Sequence, residues 1–236
     1  MKTQDIGEIL KGLNLEKHTP GIVRAQLRYD MGTAMKVVEG IGKARSARFQ
    51  IDDQNRFLYE NLIRWVMGDP EMKAVNPDNW REVIPGDVTK GVFIGGRTGT
   101  GKSWAMEIMS LFTRVDGVGM KAGGNSFFLE WPNVRTSALV NEYSLTGRIS
   151  EYSKRPVICF QDLGAEQAEA MFMGNRCNVM KTILEERGDN KNCLTLITSN
   201  LPIVGADMEK MYGQRVTSRL REMCNYIVVG GEDRRK

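Results

Sequence analysis

A glycine-rich stretch between an apolar run and a helical pattern constrains this chain more than any other feature. Gly96 to Ser103 fit the pattern G-x-x-x-x-G-K-S, with the apolar run GVFIGG before it and the helix-like segment KSWAMEIMSLFTRV after it. Glycines let a backbone curl until its N–H groups point at an anion beside the positive end of a helix dipole. The stretch therefore predicts a phosphate-binding loop that joins a buried strand to a helix.

The loop also predicts which groups contact a nucleotide. Lys102 is expected to reach the β- and γ-phosphates as a point charge, and Ser103 to hold magnesium. ATP and Mg²⁺ are therefore the predicted cofactors. The predicted nucleotide contacts are Gly96, Arg97, Thr98, Gly99, Thr100, Gly101, Lys102, Ser103 and Trp104.

From residue 91 onward, apolar runs alternate with helical patterns. Runs rich in β-branched residues, separated by helices, predict a parallel sheet that is covered on both faces. The predicted fold class is thus α/β, a P-loop NTPase with a five-stranded parallel sheet, helices on both faces and a small N-terminal helical arm. The predicted strands are residues 91–96, 126–131, 157–163, 193–200 and 226–229.

Residues 1–45 differ in pattern from the rest and are interpreted as a helical N-terminal arm, a candidate partner contact. Apolar residues recur at helical spacing over residues 6–13 and again over residues 27–38. A clearer helix follows, with Asp52 or Asp53 as its predicted N-cap and Gly68 at its end. We expect the ATP-binding domain to span residues 46–236.

Composition excludes several classes of function. With His18 as the only histidine, a His-based catalytic triad is excluded. The four cysteines are far apart and form no C-x-x-C pair, which indicates reduced thiols and no zinc site. The N-terminal segment lacks the apolar core of a signal peptide, so we expect a cytoplasmic protein. A net charge of +4 permits nucleic-acid binding without arguing for it.

Polar residues lie at the ends of the third and fourth predicted strands, at the edge where ligands bind in open α/β sheets. Asp162 can reach magnesium together with Ser103. Gln161 precedes it and has a neutral amide oxygen, a weaker magnesium ligand than a carboxylate. Asn200 is expected to orient water or to contact the γ-phosphate, the alternative being a strand-end turn. Glu166 is a spare carboxylate, interpreted as the start of the next helix.

Four segments, GGRTGTGKS, CFQDLGAE, LTLITSN and SRLREM, resemble in order and spacing those of the AAA+ ATPases of the DnaC/DnaI helicase-loader and IstB transposition-helper group. The likeness is greatest to DnaC-like proteins of phages and mobile elements. It covers residue 49 to the C-terminus and excludes residues 1–45, where a typical loader has its helicase-binding region. The resemblance implies ATP hydrolysis, a DnaB-type replicative helicase and single-stranded DNA as partners, and a homo-oligomer that assembles on ATP binding.

The resemblance also implies roles for single residues. Gln161 stands where the group has its magnesium carboxylate, and Asp162 where it has the carboxylate that activates water, so hydrolysis is expected to be weak. Arg219 matches the arginine finger, which reaches the γ-phosphate of a neighbouring subunit. The alternative from the residues themselves is an exposed ion pair with Glu222, and Arg215 lies four positions before Arg219. Arg235 matches a second arginine sensor, with Arg234 as the reserve; the alternative for both is a plain basic tail.

Basic and aromatic residues outside these motifs carry weaker predictions. The basic residues before the core could contact DNA phosphates, although a solvated helix face is the more common meaning of such a run; they are Lys36, Lys43, Arg45 and Arg48. The tryptophans lie in apolar contexts and are predicted to belong to the core; they are Trp65, Trp80, Trp104 and Trp131.

The sequence leaves three alternatives to a helicase loader. The first is an IstB-like helper of transposition, which shares the ATP-binding core. The second is a P-loop kinase, which would need an arginine-rich substrate lid that the sequence lacks between its second and third strands. The third is a nucleotide-dependent scaffold without hydrolysis, which Gln161 favours. Fold alone does not choose among them.

Overall fold

The computed structural model describes residues 21–115 and 117–234. Its centre is a five-stranded, wholly parallel sheet in the spatial order β12-β4-β11-β8-β7. These strands are β4 (Gly91–Gly96), β7 (Asn133–Arg135), β8 (Val157–Leu163), β11 (Leu194–Ser199) and β12 (Cys224–Val229). The predicted α/β fold class is confirmed.

Helices cover both faces of this sheet. In chain order they are α1 (Met31–Arg45), α2 (Arg56–Met67), α3 (Lys102–Phe112), α4 (Thr136–Thr146), α5 (Ser150–Lys154), α6 (Val179–Asp189), α7 (Ala206–Tyr212) and α8 (Gln214–Met223). Successive residues of a strand point to opposite faces. Ile94 accordingly packs with α1, α2 and α3, whereas Phe93 packs with α4, α6, α7 and α8.

The second strand of the parallel sheet was predicted wrongly. Residues 126–131 do not enter the sheet; their first part belongs to β6 (Asn125–Phe128), which pairs antiparallel with β5 (Gly119–Ala122). β5 also pairs with β1 (Ile22–Val23). The true second strand is β7, which pairs with β8. Because β7 has only three residues, its sequence carries almost no apolar signal.

Two further hairpins lie outside the predicted elements. β2 (Lys73–Asn76) and β3 (Asn79–Pro85) pair antiparallel after α2. β9 (Ala170–Phe172) and β10 (Asn175–Cys177) pair antiparallel between β8 and α6. Glu166 therefore does not begin a helix, contrary to the interpretation from the sequence, because a turn and this hairpin follow it.

α1 packs against α3, the helix that follows the glycine-rich loop. α1 begins at Met31, later than the pattern predicted, because the Asp30 carboxylate accepts a hydrogen bond from the Thr33 N–H (2.8 Å) and so caps the helix there. Ala34 and Val38 are buried in the same core as α3. The domain boundary near residue 45 stays a prediction, and the amphipathic stretch at residues 6–13 lies outside the described residues.

The start of α2 also differs from the prediction. Its N-cap residue is Asn55, not Asp52 or Asp53, and the Asn55 side chain accepts a hydrogen bond from the Asp52 N–H (2.9 Å). Gly68 ends the helix as predicted, in the left-handed conformation (φ 66°) that favours glycine. In the part of the chain that the structure describes, no helix is long and apolar enough to span a bilayer.

Candidate functional site: a phosphate loop and two strand ends

The phosphate loop leaves β4 and enters α3 with Lys102 as the first helical residue. Gly99 and Gly101 have φ values of 84° and 91°, in the left-handed region where other residues are strained. The Thr100 hydroxyl donates a hydrogen bond to the Arg97 carbonyl at 2.9 Å and closes the turn. The loop thus has the strand–turn–helix context that phosphate binding requires.

The ammonium group of Lys102 connects the loop to the end of β11. Its Nζ donates to the carbonyls of Gly96 (2.9 Å) and Arg97 (2.8 Å) and to Oδ1 of Asn200 (2.9 Å). Lys102 is buried, whereas Asn200 is exposed at the strand end. Two of the predicted site residues, separated by 98 positions, are therefore in direct contact.

β8 contains a β-bulge where it reaches the same edge. Gln161 and Asp162 lie opposite the single residue Thr198 of β11. Thr198 Oγ1 accepts a hydrogen bond from the Asp162 N–H, and the Thr136 hydroxyl donates to the Asp162 carbonyl, both at 3.0 Å. Asp162 adopts φ 59°, which Asp tolerates better than most residues. The bulge lets two consecutive side chains contact Ser103 at the start of α3, which a regular strand does not.

Oxygen atoms converge on Ser103. Its Oγ lies 3.4 Å from Asp162 Oδ1 and 3.4 Å from the Thr198 hydroxyl. Hydroxyl and carboxylate oxygens are the ligands that magnesium prefers. Ser103 and Asp162 therefore fit the magnesium ion that accompanies a nucleotide, and Thr198 supports both of them.

Gln161 faces the helix side of this cluster and is buried, with 3% of its surface exposed. Its amide Nε2 donates to Oε1 of Glu107 (3.2 Å) and to the Ser103 carbonyl (3.4 Å). Glu107 lies one turn after Ser103 on α3, and Arg45 forms an ion pair with its other oxygen. The position that the resemblance assigns to a carboxylate is thus an amide in contact with a carboxylate from a different element.

Glu166 is a buried carboxylate with two fixed donors. It accepts hydrogen bonds from the Gly164 N–H (2.9 Å) and from the Tyr212 hydroxyl of α7. Burial, and then the charge of Glu166, raise the pKa of Tyr212. Through these two hydrogen bonds Glu166 connects the turn after β8 to α7. Its carboxylate is therefore engaged away from the phosphate loop.

The arginines of α8 lie over the end of α6. Arg219 and Arg215 both form ion pairs with Asp189, and Arg219 also pairs with Glu222 at 3.5 Å. Arg219 is partly exposed, with 28% of its side-chain surface accessible. The predicted arginine finger is thus held by acidic neighbours on the surface of the same chain.

The C-terminal segment crosses the phosphate loop. The Arg234 N–H donates to the Gly99 carbonyl (3.0 Å), and its guanidinium donates to Asp52 Oδ1 (2.7 Å). The Asp233 carboxyl lies against Gly99, close enough that a Cβ on this glycine would collide with it. Arg234, the alternative second sensor, is therefore beside the loop, and Arg235 lies outside the described residues.

The basic stretch before the core has mixed surroundings. Lys43 pairs with Glu39 of its own helix at 2.9 Å, and Arg45 contacts Glu107 with its guanidinium 5.6 Å from the centre of the Trp104 ring. All four basic residues of the stretch are exposed.

The tryptophan prediction is half wrong. Trp65 and Trp131 are buried, but Trp104 is 40% exposed and Trp80 is 68% exposed. The reason is local: Trp104 lies on the outer side of α3, where it stacks with a cation, and Trp80 lies on a hairpin strand with no buried residue.

Sequence reasoning missed Glu107, Thr198, Thr136 and Asp52 as parts of this site. Glu107 had a detectable signal, because residues four apart on a helix share a face and Ser103 was already assigned. The contacts of the other three depend on strand pairing or on segments far apart in sequence.

The strand order, the glycine-rich loop after β4 and the polar ends of β8 and β11 define an α/β protein with a P-loop fold. No protein-family model matches the sequence, and no curated protein matches it. A candidate primosome component from Streptococcus pyogenes serotype M3 has a similar structure, with a TM-score of 0.52, 18% identity, and coverage of 78% of this chain and 83% of that chain.

Two other solved structures are similar at lower scores. The DnaC helicase loader has a TM-score of 0.46 and 15% identity, with 78% of this chain and 94% of that chain covered. AMPPCP-bound DnaA from Aquifex aeolicus has a TM-score of 0.45 and 14% identity, with 77% of this chain and 48% of that chain covered. At these identities the likeness concerns the fold alone.

Proposed function

We propose that this chain binds ATP with magnesium and hydrolyses it slowly, as a switch that acts on DNA during replication. The observation that supports this most is the convergence of Lys102, Ser103, Asp162 and Asn200 at one edge of the sheet. These residues come from three separate segments and meet only in the folded chain. An assembly of this kind is expected where a nucleotide, a metal ion and a water molecule must be held together.

Each residue has a part in the proposed reaction. The loop N–H groups and Lys102 bind the phosphates, with Lys102 exchanging its carbonyl partners for phosphate oxygens. Ser103 and Asp162 hold magnesium, which would neutralise charge on the phosphates when bound. Asn200, in contact with Lys102, orients the attacking water. With Gln161 in place of the magnesium carboxylate, we expect weak turnover, because an amide oxygen brings no charge to the metal ion.

The role of helicase loader rests on the ordered motifs that resemble the DnaC/DnaI group, and the phage and mobile-element subgroup rests on the same motifs. We propose a DnaB-type replicative helicase and single-stranded DNA as partners, in the cytoplasm. We further propose that ATP binding assembles a homo-oligomer in which Arg219 reaches the nucleotide of the neighbouring subunit. Arg219 is partly exposed on α8, and its guanidinium forms surface ion pairs, which cost little to exchange.

Hydrolysis is tested by measuring ATP turnover of the purified chain with and without single-stranded DNA. We expect Lys102→Ala to lower turnover by roughly a hundredfold or more, because the phosphates lose their direct cation. Lys121→Ala changes an exposed lysine on β5 and serves as the control. Turnover that survives Lys102→Ala unchanged would show that the activity does not belong to this site.

The partner is tested by capturing a DnaB-type helicase on the immobilised chain with ATP, with ADP and without nucleotide. Retention that depends on ATP supports the loader. Retention of a transposase in place of the helicase would favour the IstB-like alternative, and capture of neither protein nor DNA in any state contradicts a role at replication forks.

A second candidate is a nucleotide-dependent scaffold that binds ATP without hydrolysing it. Gln161 favours it, because an amide supplies neither the charge nor the basicity of a carboxylate. ATP binding by wild type without turnover, at any DNA concentration, would decide for the scaffold.

A further inference from the structure

The amide of Gln161 lies between two acceptors, and this arrangement suits an amide better than a carboxylate. Its Nε2 donates to Glu107 Oε1 at 3.2 Å and to the Ser103 carbonyl at 3.4 Å. A carboxylate at position 161 has no proton to donate to either group. A carboxylate at this buried position would also lie beside the Glu107 carboxylate. Two neighbouring carboxyl groups cannot both ionise without a cost in free energy.

Glu107 is held in a fixed orientation by two different partners. Its Oε1 accepts from Gln161, and its Oε2 forms an ion pair with Arg45 of α1. Arg45 is in turn positioned over the Trp104 ring of α3. Because Glu107 is four residues after Ser103, its side chain lies on the helix face that looks towards the end of β8. The charge is therefore near the proposed magnesium edge without contacting it.

We propose that Glu107 is a positioning residue that supplies the negative charge missing at position 161, and that Gln161 links this charge to the magnesium edge. In this arrangement the carboxylate lies on α3 and not on β8, and the Gln161 amide on β8 holds it in place. This inference rests on the proposed function, because it concerns magnesium that binds with a nucleotide at Ser103 and Asp162.

Exchanging the two side chains should affect magnesium-dependent nucleotide binding in a specific way. Gln161→Asp alone places two carboxylates side by side and should not strengthen magnesium-dependent binding. Glu107→Gln alone removes the charge and should weaken it. The double variant Glu107→Gln/Gln161→Asp keeps the number of carboxylates and the hydrogen bond between the two positions, so it should restore binding.

The test is a titration of a fluorescent ADP analogue at a series of magnesium concentrations and in EDTA. We expect Glu107→Gln to raise the magnesium concentration needed for half-maximal tightening about threefold to tenfold, and to leave binding in EDTA unchanged. Glu60→Gln is the control, because Glu60 has a similar exposure and also faces arginines, but on α2. Thermal unfolding of each variant without nucleotide verifies that it is folded.

The outcomes separate the inference from the function on which it rests. Restoration by the double variant, with Gln161→Asp no better than wild type, supports the inference. If Gln161→Asp alone tightens magnesium-dependent binding, or if Glu107→Gln behaves like Glu60→Gln, the inference is wrong while the proposed function stands. If wild type binds no nucleotide, or binds it equally with and without magnesium, the proposed function is wrong and the inference fails with it.

Discussion

Arg234 donates a hydrogen bond to Asp52 Oδ1 at 2.7 Å, although 182 positions separate the two residues. The pair joins the segment before α2 to the C-terminal segment. The same C-terminal segment is held to the phosphate loop by the bond from the Arg234 N–H to the Gly99 carbonyl. Two distant parts of the chain are therefore joined beside the candidate phosphate-binding loop.

Breaking this pair should give a stability loss that depends on pH. The hydrogen bond from Arg234, more than any other cause, lowers the pKa of Asp52 below its ordinary value of 3.8. A lowered folded-state pKa contributes stability above the unfolded pKa, and this contribution disappears as pH falls through the folded-state pKa. We expect Asp52→Asn to cost about 0.5–1 kcal/mol at pH 7, since solvent screens a pair that is partly exposed.

The measurement is thermal unfolding of wild type and Asp52→Asn between pH 7 and pH 3. The difference between them should be full at neutral pH and should shrink below about pH 4. The control is Asp78→Asn. Asp78 lies on the β2–β3 hairpin and forms a more exposed ion pair with Arg221 of α8. A difference that is equally large at pH 3 would mean that Asp52 acts through packing and not through its charge.

Arg187 is expected to be the most costly single arginine to remove. It is buried, and its guanidinium donates to the carbonyls of Tyr152, Ser153, Arg155 and Leu194 and to the Thr195 hydroxyl. Burial lowers its pKa. Arg187→Ala leaves these carbonyls without their donor inside the protein and opens a cavity between α5, α6 and β11.

We expect Arg187→Ala to lower the free energy of unfolding by about 3–5 kcal/mol, measured by urea denaturation. Arg187→Lys should recover part of the loss, because an ammonium group has fewer donors and no planar fork. Arg155→Ala, at the exposed C-terminal end of α5, should change stability by less than about 0.5 kcal/mol. Equal losses for Arg187→Ala and Arg155→Ala would contradict the role assigned to the buried guanidinium.

Thr198→Val tests the bulge that brings Asp162 to Ser103. The variant keeps the shape of a fully buried side chain and removes the hydroxyl that accepts from the Asp162 N–H. A buried N–H without an acceptor costs about 1–3 kcal/mol, so stability should fall by this amount. Magnesium-dependent nucleotide binding should weaken too, because Asp162 loses one of the two side-chain hydrogen bonds that fix its backbone.

The control for this variant is Thr113→Val at the end of α3, whose hydroxyl only donates to a helix carbonyl. It should cost less and should leave nucleotide binding unchanged. Unaltered nucleotide binding by a folded Thr198→Val protein would show that the bulge holds its shape without this bond.

The sequence predicted those features that are local or that recur with a clear period. The phosphate loop, the four long parallel strands and the end of α2 at Gly68 follow from apolar runs and glycine positions. The second parallel strand could not be found, because Asn133–Arg135 is short and the apolar residues Phe127 and Phe128 lie next to it in a different, antiparallel sheet.

The sequence predicted those residues of the candidate site that belong to a recognisable motif. Lys102, Ser103, Asp162 and Asn200 follow from motifs, but the bulge at Asp162 is a property of the pairing between β8 and β11, which no single segment encodes. The Glu107–Gln161 contact likewise requires the distance between α3 and β8. An unusual residue such as Gln161 is therefore visible in the sequence, whereas its reason is visible only in the structure.

Asp189→Asn should reveal whether Arg219 acts on a neighbouring subunit. The Asp189 carboxylate pairs with both Arg219 and Arg215, and Arg219 packs over Gly188 at the end of α6. If Arg219 leaves these partners to reach a nucleotide across an interface, the ion pairs oppose its action by about 0.5–1 kcal/mol. Neutralising Asp189 should then raise ATP turnover about twofold to fivefold at protein concentrations where assembly is incomplete.

Arg219→Ala tests whether the effect of Asp189→Asn on ATP turnover depends on Arg219. Asp189→Asn should raise turnover in the wild-type background, and the double variant Asp189→Asn/Arg219→Ala should show no increase over Arg219→Ala alone. Arg215→Ala removes a neighbouring arginine that shares the same carboxylate and should have a much smaller effect. If Asp189→Asn raises turnover equally when Arg219 is alanine, then Asp189 acts through the stability of α6 and not by holding Arg219, and the arginine that completes the site must be sought elsewhere.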